Sequence, residues 1–400
     1  MNRTMLTLEK IREAQQALSG IVRVTPLTPA PKIGANVWIK SENLQLTGAF
    51  KIRGAYNKIR SLTPEEASRG VIACSAGNHA QGIALSASMQ GIRSVICMPE
   101  GAPISKVENT RGYGAEVVLV PGVYDDAAKE AARLAAEKGY TFAHPFNDEA
   151  VMAGQGTIGL EILEQLPEVE QIVVPIGGGG LISGIAAAVK SVRPECRVIG
   201  VQAASVASMK ASLEAGRVVT VPDGATIADG IHVLTPGELT FEAVRRYVDD
   251  IVTVEEDEIA AAILSLLENQ KTIAEGAGAT TVAACMFGHV DPMKKTVCVV
   301  SGGNVDVTML SRIITRGLSK SGRILEIETK IEDKPGSLIK LLQIVSSTGA
   351  NVLSISHDRE DKDSDVSACV VAMVLETRDA AHIEQLLIRL ESAGYPLYEA

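Results

Sequence analysis

Between residues 71 and 143 the chain alternates short, continuous apolar runs with longer stretches whose apolar positions recur every three or four residues. The runs 71–74, 94–98, 116–120 and 141–143 read as buried strands, with helices at 78–89, 104–112 and 125–138. Such alternation builds βαβ units and a parallel sheet. The style repeats further on: strands are predicted at 171–176, 197–202 and 296–300, and helices at 149–166, 182–192, 236–247, 255–268, 276–286 and 307–315. Upstream come an amphipathic helix at 6–18, a Thr/Pro-rich turn at 25–31 and a strand at 37–40. A further helix opens at Thr47 and Gly48 and runs to about Arg60.

Past residue 315 the pattern changes. Residues 316–323, RGLSKSGR, are basic and rich in Gly and Ser, the composition of a linker. The remainder reads strand 324–331, helix, strand 351–357, strand 366–375, helix, strand 397–399. Leu338, Leu341, Leu342 and Val345 keep helical spacing, as do Ile383, Leu386, Leu387 and Leu390. This is a βαββαβ unit of ferredoxin type with its own core.

Composition narrows the class. Of the 400 residues 46% are hydrophobic but only 3% aromatic, so the apolar mass is Ala, Val, Ile and Leu, suited to helices packed closely on parallel strands. The net charge of −10, without a long basic run, argues against nucleic acid. No apolar stretch approaches the roughly 18 residues of a membrane span, and the charged N-terminal helix is not a signal peptide. Six cysteines (Cys74, Cys97, Cys196, Cys285, Cys298, Cys369) are scattered without CxxC pairs, and the six histidines form no HExxH. The expectation is a cytoplasmic, reduced protein without a metal.

Two stretches carry candidate chemistry. Lys51, in TGAFKIRGA, sits between Phe50 and Ile52, in the first turn of its helix. Gly177, Gly178, Gly179 and Gly180 follow an apolar strand and precede an apolar helix. Strand, bare backbone, helix start is the order of an anion cradle: N–H groups converge, and the helix dipole favours negative charge. Taken singly, the first reads as a snorkelling lysine and the second as a tight turn. It is not a nucleotide P-loop, because Leu181 and Ile182 stand where Lys-Ser/Thr should close one. Together, an amine and a phosphate cradle point to a phosphorylated aldehyde, pyridoxal 5′-phosphate.

The wording of four motifs, in order, resembles fold-type II pyridoxal phosphate enzymes: TGAFKIRGA, ACSAGNHAQG at 73–82, GGGGL at 177–181 and SGGN at 301–304. Within them it is closest to the threonine dehydratase (threonine ammonia-lyase) branch, since KDR and SGNTG variants of related branches are missing. The final unit, with IEDKPGSL from Ile331, resembles an ACT domain. The resemblance implies a catalytic region at 1–318, its small domain (about 50–150) inserted between 1–49 and 151–318. A linker at 319–323 and a regulatory ACT domain at 324–400 would follow.

Residue roles follow from the same resemblance. Lys51 would carry the cofactor and act as base. Gly177–Gly180 and the Leu181 amide would hold its phosphate, Asn78 its 3′-oxygen, and Ser301 would face its pyridine nitrogen. A hydroxyl there leaves that nitrogen neutral, which favours elimination over transamination. Ser75 and His79 would bind the substrate carboxylate, with Asp229 and Gly230 as wall residues. In the ACT unit, Lys334, Gly336 and Asn351 would bind an amino-acid effector in a homodimer or homotetramer. The implied reaction is deamination of L-threonine, with L-serine as a side substrate. Two departures stand out: Ala49 replaces a common serine, and Ala76 replaces the serine that racemases use as a second base. The alternatives are an L-serine dehydratase, a serine racemase-like enzyme, a catalytically inactive amino-acid sensor, or a phosphosugar or nucleotide binder using the glycine loop alone.

Overall fold

The computed structural model describes residues 6–359 and 367–398. The chain divides into two compact units, Met1–Asp306 and Val307–Ala400. The first unit holds two sheets. One has the strands Leu27–Pro29, Val37–Ser41, Thr296–Val300, Gln171–Pro175, Arg197–Ala203 and Asp250–Val254 side by side. All pair in parallel except the first, which returns antiparallel along Val37–Ser41. The other sheet is wholly parallel, in the order Glu116–Val120, Ser94–Pro99, Val71–Cys74, Thr141–Phe142. Its strands come from residues that interrupt those of the larger sheet.

Several elements were not foreseen, among them the helix Ser208–Ala215. Leu27–Pro29 is an edge strand inside the predicted turn, and Pro29 is tolerated there because an edge position needs no donor on its outer side. Asp250–Val254 closes the other edge; only Ile251 and Val254 are buried, so its apolar signal is weak. The helix Pro64–Arg69 is set by a capping box between Thr63 and Glu66, with proline in its first turn.

In the second unit a helix, Val307–Lys320, leads into an antiparallel sheet ordered Asn351–Asp358, Ala368–Glu376, Ile324–Glu332, Leu397–Tyr398. Helices Ser337–Thr348 and Ala380–Ser392 cover one face, burying Leu341, Val345, Leu386 and Leu390 against Val371, Met373 and Leu375. This is the predicted βαββαβ arrangement. Most of the segment read as linker is instead the end of the helix that stops at Lys320, followed by a short turn. Val366 and Glu399, assigned to strands from sequence, lie outside the described residues.

The helix Lys51–Arg60 is anchored by buried charge. Arg53, fully buried, donates to both oxygens of Glu42 at 2.8 Å and to both oxygens of Glu161 at 2.6 and 3.0 Å. Lys40, equally buried, reaches Glu161 at 2.6 Å, Gln165 at 2.9 Å and the Thr25 carbonyl at 2.9 Å. Two cations thus face two carboxylates, and further hydrogen bonds use their remaining donors. Removing one partner strands the others in a low dielectric. Arg53→Met should therefore cost on the order of 3–5 kcal/mol of unfolding free energy. Urea titration of the two proteins measures it; a loss below about 1 kcal/mol would contradict this account of the anchor.

Candidate active site

Lys51 is the first residue of its helix, and the strand end at Ser301 holds the approach to it. The Phe50 N–H donates to the Ser301 carbonyl at 3.0 Å, and the Gly303 N–H to the Gly48 carbonyl at 2.9 Å. Ala49 and Gly302 form an antiparallel bridge between them. Asn304 Nδ2 adds a bond to the Thr47 carbonyl at 2.7 Å. Thr47 is held at φ 61°, a left-handed conformation uncommon for threonine, just before Gly48. The TGAF and SGGN segments are thus zipped together by backbone.

The Lys51 amine donates to the Pro145 carbonyl at 3.1 Å and lies 5.1 Å from the centre of the Phe50 ring. Burial pushes its pKa down to about 8, against a smaller upward pull from the Glu275 charge. The next residue, Phe146, touches the glycine loop. A Cβ on Gly180 would lie 2.8 Å from Phe146 Cβ, and one on Gly177 would lie 2.9 Å from Ile231 Cα. Gly179, at φ 93°, is closed in by Met209 and Thr240. Thr240 Oγ1 donates to the Gly178 carbonyl at 2.6 Å, so that carbonyl is tied back. Bare backbone is required here, and it opens the helix Gly180–Val192, with Leu181 buried behind it.

Asn78 opens the helix Asn78–Met89. Its Nδ2 donates to both oxygens of Glu275, at 2.8 and 3.0 Å, and its Oδ1 accepts from Asn304 Nδ2 at 2.8 Å. Glu275 did not emerge from sequence. It is a lone, buried carboxylate in the run Ile273–Gly278, and that isolation is the one signal it offers. Burial raises its pKa to about 7, with Asn78 pulling it down and Asp229 pushing it up. Gly230 lies against Glu275 and Ala277, while Asp229 is exposed and pairs with Lys106 at 3.0 Å.

Ser75 Oγ accepts from the Gly77 N–H at 3.1 Å and shapes the loop. His79 is placed differently from expectation. Its side chain is buried, and Nε2 lies 2.8 Å from the Ala143 carbonyl, which requires a proton on Nε2. Burial first, then the Lys51 charge, holds its pKa down at about 3, so the ring is neutral. Nε2 is therefore committed to the wall. The first turn of the helix still offers backbone N–H groups to an anion. His144 is likewise neutral, pushed down to about 4 by burial, and its Nδ1 accepts from the Phe146 and Asn147 N–H groups.

In the second unit, Lys334 and Gly336 line a cavity of about 400 Å³ with Asp333, His357 and Arg359. Asn351 is not among them. It faces Glu376 across the sheet, whereas Glu332, just before the turn, faces Ala368. Eight strand residues separate those positions, about 26 Å at ~3.3 Å each. Asn351–Asp358 runs in the same direction as Ile324–Glu332, so its end, not its start, lies at the turn.

Pyridoxal phosphate fits these residues. The cradle excludes side chains, the amine titrates near neutrality, and Ser301 presents a buried hydroxyl-bearing residue at a strand end. An amine on a helix start, tied through Pro145 and Phe146 to a glycine cradle between two parallel sheets, defines the fold-type II class. Residues 18–302 match the family described as pyridoxal-phosphate dependent enzyme, and the chain belongs to it. Over 395 residues it is 52% identical to L-threonine ammonia-lyase of Thermotoga maritima, covering 98% of each. It is 47% identical over 315 residues to L-threonine dehydratase catabolic TdcB of Escherichia coli strain K12, covering 77% of this chain and 96% of that one. Among solved structures, maize serine racemase superposes with a TM-score of 0.74 at 37% identity, covering 79% of this chain and 99% of that one. The processed form of threonine deaminase isoform 2 from Solanum lycopersicum gives a TM-score of 0.74 at 36% identity, covering 77% and 87%.

Glu275 generates a pH prediction for the cofactor-free protein. Its pKa is raised on folding, so between pH about 4.5 and about 7 the native state keeps a proton that the unfolded chain has released. Its contribution to stability is complete below that window and lost as pH rises through it. Relative to Glu275→Gln, the parent should lose up to roughly 3 kcal/mol across the window, at ~1.36 kcal/mol per pH unit. Parallel denaturant curves from pH 4 to 8 measure the difference; curves that stay parallel at every pH would refute a buried, titrating Glu275.

Proposed function

We propose that the protein deaminates L-threonine to 2-oxobutanoate and ammonia by eliminating the β-hydroxyl, with L-serine converted to pyruvate as a lesser reaction. The observation that carries this reading is a single near-neutral amine, Lys51, beside the anion cradle, with a methyl group at Ala76 where a second base would stand. The names of the relatives at 52% and 47% identity support the same substrate. The cofactor, when bound, supplies an electron sink for the pair left on Cα.

The protein's own groups supply the rest. Gly177–Gly180 and the Leu181 N–H would hold the phosphate, and Asn78, braced by Glu275 and Asn304, would meet the 3′-oxygen. Ser75 and the N–H groups at the start of the Asn78 helix would hold the substrate carboxylate. The Lys51 amine takes the Cα proton, acting as base near its own pKa. Loss of that proton and the β-hydroxyl removes one water; the released enamine takes one water back and gives up ammonia. Ser301, a hydroxyl rather than a carboxylate, would leave the pyridine nitrogen unprotonated, which would favour expulsion of the hydroxyl.

A racemase has a specific counter-indication, Ala76, since a methyl cannot return a proton from the opposite face. Lys51→Ala should abolish turnover and the visible absorbance of lysine-bound cofactor together, while bound phosphate cofactor remains detectable after denaturation. Substantial turnover in Lys51→Ala would sink the assignment. Comparing kcat/KM for L-threonine, L-serine and D-serine should rank them in that order; a preference for D-serine formation would favour the racemase.

The second unit, in this reading, is a regulatory ACT domain in a cytoplasmic homodimer or homotetramer that serves isoleucine formation. Support comes from its βαββαβ topology, the cavity at Lys334 and Gly336, and the helix Ser337–Thr348 that opens there. The N-terminus of that helix suits the carboxylate of a branched-chain amino acid. The Escherichia coli relative, covered at 96% by 315 residues of this chain, supports a catalytic body that works alone. Truncation after Gly322 should leave an active enzyme whose threonine kinetics ignore isoleucine, valine and leucine. The full chain should respond by about 5- to 150-fold in apparent affinity, the usual range of such coupling. Unchanged kinetics and silent calorimetry with all three would replace sensing with a dimerisation role.

A further inference from the structure

Three side chains with metal-binding atoms converge in the second unit from three separate segments. Asp333 stands in the turn after the strand Ile324–Glu332, His357 near the end of Asn351–Asp358, and Cys369 near the start of Ala368–Glu376. One donor atom from each lies within 4.8 Å of the others. His357 Nε2 and Cys369 Sγ are 2.8 Å apart. We infer that Asp333, His357 and Cys369 form a binding site for a divalent transition metal of the zinc class.

The donor set selects the ion. A thiolate, an imidazole nitrogen and a carboxylate oxygen suit zinc or cobalt, whereas calcium and magnesium ask for six or more oxygens. Bonds of about 2.3 Å to sulfur and about 2.0 Å to nitrogen and oxygen place tetrahedral ligand atoms roughly 3.3–3.6 Å apart. The His357–Cys369 separation of 2.8 Å is shorter than this and the 4.8 Å envelope is wider, so the side chains must shift to coordinate an ion. Cys369 is fully buried on a central strand, paired with Ile331, so one ligand is rigid. Asp333 is oriented from outside: Arg359 Nη2 holds its Oδ1 at 3.0 Å, and its own N–H donates to the Ser367 carbonyl at 2.9 Å. Metal ligands are commonly oriented by such outer partners.

Charge and access are consistent. A divalent ion is neutralised by the Cys369 thiolate and the Asp333 carboxylate, while Lys334 is paired with Glu332 at 3.2 Å. Burial and the Asp333 charge raise the Cys369 pKa, so the free site holds a thiol and the metal must displace its proton. Asp333 and His357 line the 400 Å³ cavity, which gives a fourth ligand, water or a small molecule, room to enter. Sequence spacing hides the site, since His357 and Cys369 are twelve residues apart and meet only through strand pairing. Such a site departs from the expectation of a metal-free protein.

The test uses the full-length, cofactor-loaded enzyme, stripped with a chelator and titrated with Co²⁺ and then Zn²⁺. Stoichiometric cobalt should produce tetrahedral d–d bands to the red of the cofactor absorption, together with thiolate charge transfer, and one zinc per chain should displace them. Cys369→Ser should remove the charge-transfer band, and both Cys369→Ser and His357→Gln should weaken zinc at least about 100-fold by calorimetry. Circular dichroism confirms that each variant is folded; if Cys369→Ser is not, His357→Gln decides. Absence of the bands in the parent, or unchanged zinc affinity in a folded His357→Gln, overturns the site and leaves a His–Cys hydrogen bond.

Discussion

Arg53 is the group on which the placement of the reactive amine depends. Residues two apart on a helix of 3.6 residues per turn lie about 200° from each other, so Lys51 and Arg53 leave their helix on opposite sides. Arg53 is gripped by Glu42 and Glu161, and Lys40 shares Glu161. Such a buried network is weak evidence of net stability, because desolvation of four charges offsets most of their attraction. What it supplies is geometry. A guanidinium fork bonded to two carboxylates admits one rotation of the helix about its axis. That rotation aims residue 51 away from the charged core.

Position along the helix comes from a different contact. A Cβ on Gly154 would lie 2.7 Å from Gly54 Cα, so the helices Lys51–Arg60 and Glu149–Gln165 touch backbone to backbone. The second of these meets Gly180–Val192 in the same way, since a Cβ on Gly184 would lie 2.6 Å from the Gly156 nitrogen. The helix that carries the amine is thus fixed to the helix that opens at the glycine cradle through one intermediate helix, with no flexible side chain between. Any added methyl group would push backbone against backbone, where relaxation is least available. The small residues that look featureless in the sequence hold the amine and the cradle in register.

This explains which parts were legible from sequence. Lys51, the glycine run and Ser301 sit in contiguous strings whose chemistry is local; Lys51 starts a helix, the glycines join a strand to a helix, and Ser301 follows a strand. Glu275 was invisible because its meaning lies in Asn78, nearly two hundred residues away. His79 was read from its motif, but what its ring does is set by the Ala143 carbonyl, which no spacing reveals. Asn351 was misplaced for a topological reason: the strand it starts runs toward the turn that holds Lys334, so its first residue lies at the far end. The metal-binding trio failed for a similar one, since antiparallel neighbours become adjacent only once register is known. Asp250–Val254 lacked the apolar density that marks the inner strands.

Lys51 and Glu275 together show how the fold adjusts its own chemistry. Burial alone would drive the amine and the carboxyl toward neutrality, and it moves them to about 8 and about 7. Each charge partly opposes the shift of the other, as a smaller effect beside burial. An amine held far below neutrality would be too weak a base for a Cα proton, and one at the ordinary lysine value would be almost wholly protonated. The buried carboxylate keeps the amine from the first extreme, and the apolar wall of Phe50 and its neighbours keeps it from the second. Asn78 links this balance to the cofactor cleft, because the same side-chain amide that braces Glu275 stands at the helix start facing the site. A change at any one of the three is therefore felt at the reacting amine, even without a contact to substrate.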